Sequence, residues 1–171
     1  MGLLFSILGD ACMVYPLFYE LGFVAFGVAH CFYIKAYGFR PAHVADVILG
    51  VVLYSSVGAY LVLTVMPGLP DLISFIGLSI YFALLTTTSW RALARAIDSP
   101  FESRYYSIRG DYLAAIGAAL FIISDCLTVY IQFVQPLRAH QILVMSNYYA
   151  AQFCIATAAR QAINEPKKKY W

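Results

Sequence analysis

Residues 111–134 read DYLAAIGAALFIISDCLTVYIQFV, a run of mostly apolar side chains with one internal acid, Asp125. A helix of this length extends about 36 Å, enough to cross the hydrocarbon core of a bilayer, which is about 30 Å thick. Strands of a membrane barrel would alternate apolar and polar side chains, and this run does not alternate. The stretch therefore predicts a transmembrane α-helix.

Five further segments of the same character occur along the chain. They lie near 3–18, 21–38, 44–66, 69–90 and 138–163. Polar or proline-containing stretches, such as 67–70 and 91–109, separate them. The first two segments are short, so a partly interfacial position stays open for them. The sequence predicts an all-α bundle of about six transmembrane helices over residues 1–163, followed by a basic tail at 164–171.

The composition excludes several classes of protein. The chain is 62% apolar and only 12% charged, which leaves too little polar surface for a soluble domain. Its net charge of +2 is scattered and does not favour nucleic-acid binding. The four cysteines lie in apolar runs without a C-x-x-C pair, so no metal or other cofactor is expected. No basic region precedes the first segment, so a cleavable signal peptide is not expected either.

The distribution of basic residues predicts the orientation. With six spans, ten of the eleven Lys and Arg residues fall on one side of the membrane, and only Arg138 falls on the other. The ten are Lys35, Arg40, Arg91, Arg95, Arg104, Arg109, Arg160, Lys167, Lys168 and Lys169. Because cytosolic loops carry the excess of Lys and Arg, both ends are expected in the cytosol.

The C-terminal residues bear on the membrane in which the protein resides. Lys168 and Lys169, followed by two final aromatic residues, resemble a dilysine signal for retrieval to the endoplasmic reticulum. A polybasic anchor attracted to anionic lipid is the alternative interpretation.

Three ionisable residues lie near the middle of predicted spans: Asp10, His30 and Asp125. Each costs about 2.5 to 3.5 kcal/mol to insert at the bilayer centre, so such residues usually have a function. We expect them to face one polar chamber inside the bundle. The sixth segment adds Asn147, Tyr148, Tyr149 and Gln152 at a similar depth. The remaining acids lie in loops or at span ends and are interpreted as solvated or interfacial: Glu20, Asp46, Asp71, Asp98, Glu102, Asp111 and Glu165.

Several functions fit buried acids and a buried histidine. The plainest is a structural hydrogen bond between helices, typically worth about 0.6 kcal/mol. An intramembrane aspartyl protease also uses two aspartates, but no second protease motif is found. A zinc hydrolase of the ceramidase type would need several histidines near one face, whereas His43 and His140 lie in loops on opposite faces. A proton-coupled transporter, with the buried Asp and His residues as its relay, is the main alternative to an enzyme.

Four motifs occur in order along the chain: F-S-I-L-G-D at 5–10, G-F-V-A-F-G-V-A-H-C-F-Y-I-K-A-Y-G at 22–38, G-A-A-L-F-I-I-S-D at 117–125 and M-S-N-Y-Y-A-A-Q at 145–152. Together they resemble the YhhN-like lysoplasmalogenase family of membrane hydrolases. The resemblance implies hydrolysis of the vinyl ether bond of ethanolamine or choline lysoplasmalogens. It also implies about eight spans, two of them before F-S-I-L-G-D, which this chain is expected to lack.

The same resemblance implies a set of site residues. Asp10, Asp125 and His30 would be catalytic, and Gly9 belongs to the G-D motif. Ser124, Tyr33, Tyr148, Tyr149 and Gln152 would bind substrate. The implied partners are a lysophospholipid and the bilayer, and a homodimer stays open.

Two carboxyl groups suffice for the implied chemistry. A vinyl ether hydrolyses when an acid protonates its β-carbon, and water then captures the resulting oxocarbenium ion. One carboxylic acid can donate the proton while a second carboxylate stabilises the cation, as in glycosidases. Asp125, beside Ser124, is the favoured acid, although the sequence does not exclude Asp10. His30 would relay protons or orient water, and the tyrosines would hold the phosphate or line an acyl tunnel.

The charge asymmetry gives the first testable prediction. A tag at the C-terminus of the protein in sealed microsomes should react with an impermeant reagent from the cytosolic side only, because the basic segments are retained there. Protease protection of the same tag serves as the second measurement. Labelling from the lumen would contradict the predicted topology.

Overall fold

The computed structural model describes residues 1–39, 43–98, 108–135 and 140–164. These residues form six α-helices and contain no β-strand. The helices are α1 (Gly2–Met13), α2 (Tyr19–Tyr37), α3 (Val44–Tyr60), α4 (Leu72–Asp98), α5 (Ile108–Phe133) and α6 (His140–Asn164). Each overlaps one predicted segment, and the all-α prediction is confirmed. The basic tail lies outside the described residues from 165 onward.

Within the described residues, four helical segments are long and apolar enough to cross a membrane. They cover Val44–Gly68, Leu72–Asp98, Arg109–Phe133 and Gln141–Gln161. The 25 residues of the first span include a π-helical turn and a 3₁₀ turn that continue α3. This is the architecture of an integral membrane protein. The cytosolic placement of the two ends stays a prediction.

The first two helices are shorter than the other four. With 12 residues, α1 is only about 18 Å long, so it does not span the hydrocarbon core. It ends three residues before Pro16, whose ring and missing N–H are incompatible with a continued helix. α1 packs along α2, which in turn packs against α4. The short α1 is thus held in the bundle by its contact with α2.

The core of the bundle forms where α2, α4, α5 and α6 meet. Phe26 of α2, Leu85 of α4, Phe121 of α5 and Ile155 of α6 are all buried and belong to one apolar cluster. The contact between α5 and α6 is the most extensive in the molecule, and that between α1 and α2 follows. α3 packs mainly on α4 and leaves most of its surface to the surrounding lipid.

A second group of contacts joins the helices at the end of the bundle that carries the C-terminus of α2. α2 ends at Gly38, whose φ of 67° is readily adopted only by glycine. Arg91 Nε donates to the Gly38 carbonyl at 2.7 Å, and Arg95 Nη1 donates to the Ala36 carbonyl at 3.2 Å. The last carbonyls of a helix lack partners within the helix and carry partial negative charge. The two arginines of α4 therefore cap α2.

The structure corrects two expectations at this end of the molecule. The stretch 91–109 was expected to separate spans, but α4 continues to Asp98 and buries Arg91 to 1% exposure. Asp46, Asp98 and Asp111 were expected to be solvated or interfacial, and this is wrong because all three are buried. Asp46 accepts the backbone N–H of His43 at 2.9 Å, and Asp111 forms an ion pair with Arg95 at 2.8 Å. These acids close the end of the bundle.

We predict that Arg95→Met lowers the free energy of unfolding by about 3 kcal/mol, because it removes a guanidinium group that forms an ion pair with the buried Asp111. The double variant Arg95→Met/Asp111→Asn should recover part of the loss. Thermal unfolding in detergent measures both effects, with the exposed Arg160→Met as control. Equal stability of Arg95→Met and Arg160→Met would contradict a structural role for the ion pair.

Candidate active site

A cavity of about 400 Å³ lies among α1, α2, α4, α5 and α6. Asp10 of α1 and Asp125 of α5 both line it, as the predicted shared chamber requires. Its other lining residues are largely apolar or aromatic: Met13, Val14, Phe23, Phe26, Tyr81, Ser124, Thr128, Val129, Val144, Met145, Tyr148 and Tyr149. Two carboxyl groups thus face one chamber with mainly apolar walls.

Asp125 is held by a tyrosine from a different helix. The hydroxyl of Tyr81 on α4 donates a hydrogen bond to Asp125 Oδ2. Tyr81 is buried and lines the same cavity. Tyr81 is not among the site residues predicted from the sequence. Its position in the interior of a span, away from the interface where tyrosine is usually enriched, is the signal by which it could have been found.

Asp10 has an equivalent partner on α6. The hydroxyl of Tyr148 forms a hydrogen bond with the Asp10 side chain. Gln152, one turn further along α6, donates from Nε2 to the Tyr148 hydroxyl at 2.9 Å. Gln152 therefore contacts the site through Tyr148 and does not itself line the cavity.

Ser124 and Tyr149 also line the cavity, in different positions. The Ser124 hydroxyl donates to the Val144 carbonyl of α6 at 3.1 Å, so it contributes to the contact between α5 and α6. Tyr149 is 63% exposed and lies at the rim with Val14 and Met145, which are also exposed. The rim is therefore apolar and open to the surroundings of the bundle between α1 and α6.

Two predicted site residues lie behind the cavity wall. His30 is 1% exposed and is absent from the lining. The rings of Tyr33, Tyr81 and Phe121 meet it edge-on at 5.9, 5.7 and 5.0 Å. Within the described part of the chain, neither of its ring nitrogens has a hydrogen-bond partner. Its relay role stays a prediction.

Tyr33 is likewise absent from the lining of the cavity. Its hydroxyl pairs with the Ser6 hydroxyl at 3.1 Å in a buried contact, one turn before Asp10 on α1. Its ring lies against Gly2 at the start of α1. Asn147 donates to the Leu143 carbonyl of its own helix and is likewise not among the lining residues. Neither side chain reaches the cavity.

Gly9 has a packing role beside Asp10. A Cβ atom at this position would lie 2.7 to 3.0 Å from three ring atoms of Phe26, which is closer than real side chains approach. The missing side chain lets α1 approach α2. Phe26 in turn contacts Tyr148 edge-on at 6.1 Å, so the position of α1 is linked to the partner of Asp10.

The described residues contain no group of three or more His, Cys, Asp or Glu side chains that could hold a metal ion. The polar groups that line the cavity are two carboxyl groups and the hydroxyls of Tyr81, Tyr148, Tyr149, Ser124 and Thr128. Such a set can transfer a proton and stabilise a nearby positive charge.

Comparison with known proteins agrees with these motifs. The model of the YhhN family matches residues 1–159. The chain belongs to the YhhN family. The resemblance inferred from the four sequence motifs is thereby confirmed.

Curated relatives of this YhhN family member are named lysoplasmalogenases. The chain is 34% identical over 168 residues to lysoplasmalogenase TMEM86B of Sus scrofa, covering 98% of this chain and 64% of the relative. It is 32% identical over 171 residues to lysoplasmalogenase TMEM86A of Bos taurus, covering 99% and 67%. Human TMEM86B is 31% identical over 154 residues, covering 90% and 59%. The chain thus spans about two thirds or less of these relatives' length. No solved structure shows a significant match.

We predict that Gly9→Ala destabilises this YhhN protein by about 1 to 3 kcal/mol, because the added methyl group overpacks the contact between α1 and Phe26. Thermal unfolding in detergent measures the loss. Gly58→Ala is the matched control, since a Cβ there meets nothing within 4 Å. Equal melting temperatures for the two variants would show that Gly9 is not needed for close packing.

Proposed function

We propose that this chain hydrolyses the vinyl ether bond of lysoplasmalogens, releasing a fatty aldehyde and a glycerophospho-base. The observation that carries the proposal is that Asp10 and Asp125, from two different helices, line one cavity in a mostly apolar bundle. Curated relatives with the name lysoplasmalogenase supply the reaction class. The two carboxyl groups supply the acid and the carboxylate that this reaction needs.

The shape and lining of the cavity suit an amphipathic lipid. Its volume of about 400 Å³ is within the usual range for a small-molecule site. The exposed apolar rim of Val14, Met145 and Tyr149 offers the alkenyl chain a route from the bilayer. The polar groups lie further inside, so the vinyl ether bond would reach the acids while the chain stays in an apolar environment.

The proposal gives the two acids separate roles. Asp125 is assigned as the acid, since it lies beside the Ser124 hydroxyl and is held by Tyr81. Asp10, beside Tyr148, would stabilise the cation and direct water.

The reaction then proceeds in balanced steps. Asp125 transfers its proton to the β-carbon of the vinyl ether, and the ether oxygen shares the positive charge of the oxocarbenium ion. Water adds to the cationic carbon, and its proton passes to a carboxylate. The hemiacetal collapses to a fatty aldehyde and the glycerol hydroxyl. His30, behind the wall, is the candidate for returning protons to the pair.

We also place the protein in the endoplasmic reticulum membrane with both ends in the cytosol. Ten of the eleven basic residues on one side support the orientation, and Lys168 and Lys169 support the compartment.

We predict that Asp10→Asn and Asp125→Asn each lower the rate of aldehyde release about 100- to 10,000-fold, because each removes a titrating group and keeps side-chain size. The measurement is turnover of a lysoplasmenylethanolamine by purified protein in detergent. Asp71→Asn is the matched control: Asp71 is exposed and accepts the Ser74 N–H at 2.7 Å at the start of α4, where Asn also caps well.

The saturated-ether analogue should remain uncleaved by the wild-type protein and all variants, since it has no double bond to protonate. If Asp10→Asn or Asp125→Asn, correctly inserted and expressed, turns over at the rate of Asp71→Asn, the two-carboxylate mechanism is wrong. Proton-coupled uptake by proteoliposomes without aldehyde release would favour the transporter.

A further inference from the structure

We infer that Tyr81 is the positioning residue for Asp125, fixing its carboxyl group in the orientation from which the proton is delivered. This inference rests on the proposed function, because it assigns a role within that reaction. The one observation from which it starts is the hydrogen bond from the Tyr81 hydroxyl to Asp125 Oδ2, which joins α4 to α5 at the cavity wall.

The ring of Tyr81 is held from three sides. Phe23 of α2 meets it edge-on at 5.4 Å, His30 of α2 at 5.7 Å, and Phe82 of α4 at 5.8 Å. The ring is 6% exposed. Such edge-to-face contacts favour one ring orientation over others. The hydroxyl therefore points to a fixed place, and Asp125 is held at that place.

A carboxyl group on a helix can otherwise rotate about two side-chain bonds, and its terminal torsion has only broad preferences. The bond from Tyr81 occupies Oδ2, so Oδ1 is the oxygen that would carry the transferable proton. One oxygen is thus anchored to the protein and the other is left for the substrate. Holding reacting groups in this way lowers the entropic part of the barrier.

His30 is connected to the site by a ring contact with Tyr81 and not by a hydrogen bond. His30 lies behind the wall and touches Tyr81 through its ring. Its effect on Asp125 would pass through the orientation of Tyr81. Phe121 closes the other side of His30 at 5.0 Å, so α2, α4 and α5 are joined at this point.

The chain offers a matched control for the loss of a tyrosine hydroxyl. Tyr60, at the end of α3, donates its hydroxyl to the backbone carbonyl of Cys126 at 2.6 Å. Cys126 follows Asp125 on α5, so both tyrosines bond to the same turn of the same helix. Tyr60 is not among the residues that line the cavity, and its hydroxyl bonds to a backbone carbonyl and not to the carboxyl group of Asp125. Tyr60→Phe therefore removes a structural hydrogen bond and spares the proposed positioning contact.

The experiment compares Tyr81→Phe and Tyr60→Phe in purified full-length protein, with aldehyde release from a lysoplasmenylethanolamine as the assay. We expect Tyr81→Phe to lower kcat about 10- to 100-fold with KM nearly unchanged, since a misplacement of about 1 Å can cost roughly 100-fold. Tyr60→Phe should keep kcat within about twofold. Thermal unfolding of both variants shows whether each is folded.

A double variant provides the second readout. If Tyr81 acts through Asp125, the pair Tyr81→Phe/Asp125→Asn should be no slower than Asp125→Asn alone, because the group to be positioned is already gone. A further loss in the double variant, or equal kcat for Tyr81→Phe and Tyr60→Phe, would overturn the inference. Failure of the proposed function would give a different result, because the wild-type protein itself would then release no aldehyde.

Discussion

Two carboxyl groups inside an apolar bundle need hydrogen-bond partners from the protein itself. Contacts between neighbouring helices provide these partners. An unsatisfied polar group costs several kcal/mol in hydrocarbon, where lipid offers no partner. Tyr81 and Tyr148 supply the partners of Asp125 and Asp10, each from another helix. The pairs therefore join α4 to α5 and α6 to α1, and the same contacts that satisfy the acids also shape the cavity.

Polar groups also need partners within the protein at the end of the bundle that carries the C-terminus of α2. The last carbonyls of α2 need donors, and Arg91 and Arg95 reach them from α4. Burying Arg95 would be costly alone, and Asp111 at the start of α5 offsets its charge. One end is thus closed by ionic contacts, whereas the described partners of Asp125 and Asp10 in the cavity are the neutral hydroxyls of Tyr81 and Tyr148.

The sequence predicted the two acids of the candidate site because burying a charged group in a membrane is costly, so such a residue usually has a function. Asp10 and Asp125 were found from their depth in the spans, and Tyr148 and Tyr149 from the family motif, and all four line the cavity. Tyr81 was missed because a tyrosine in an apolar span carries no charge and no motif. His30 and Tyr33 were placed in the chamber because helical spacing gives a residue's depth but not the side chains that stand between it and the cavity.

By itself, the sequence determined the helical bundle, the number of apolar segments and the presence of buried acids, because the length and polarity of a segment fix whether it can lie in lipid. Only the tertiary structure decided which tyrosine holds which aspartate, and that Asp46, Asp98 and Asp111 are buried at a closed end. Those outcomes depend on the rotation and approach of neighbouring helices. The distance between two neighbouring helices is set by small residues like Gly9 and by complementary packing. Both depend on two helices at once, so no single segment of the chain determines them.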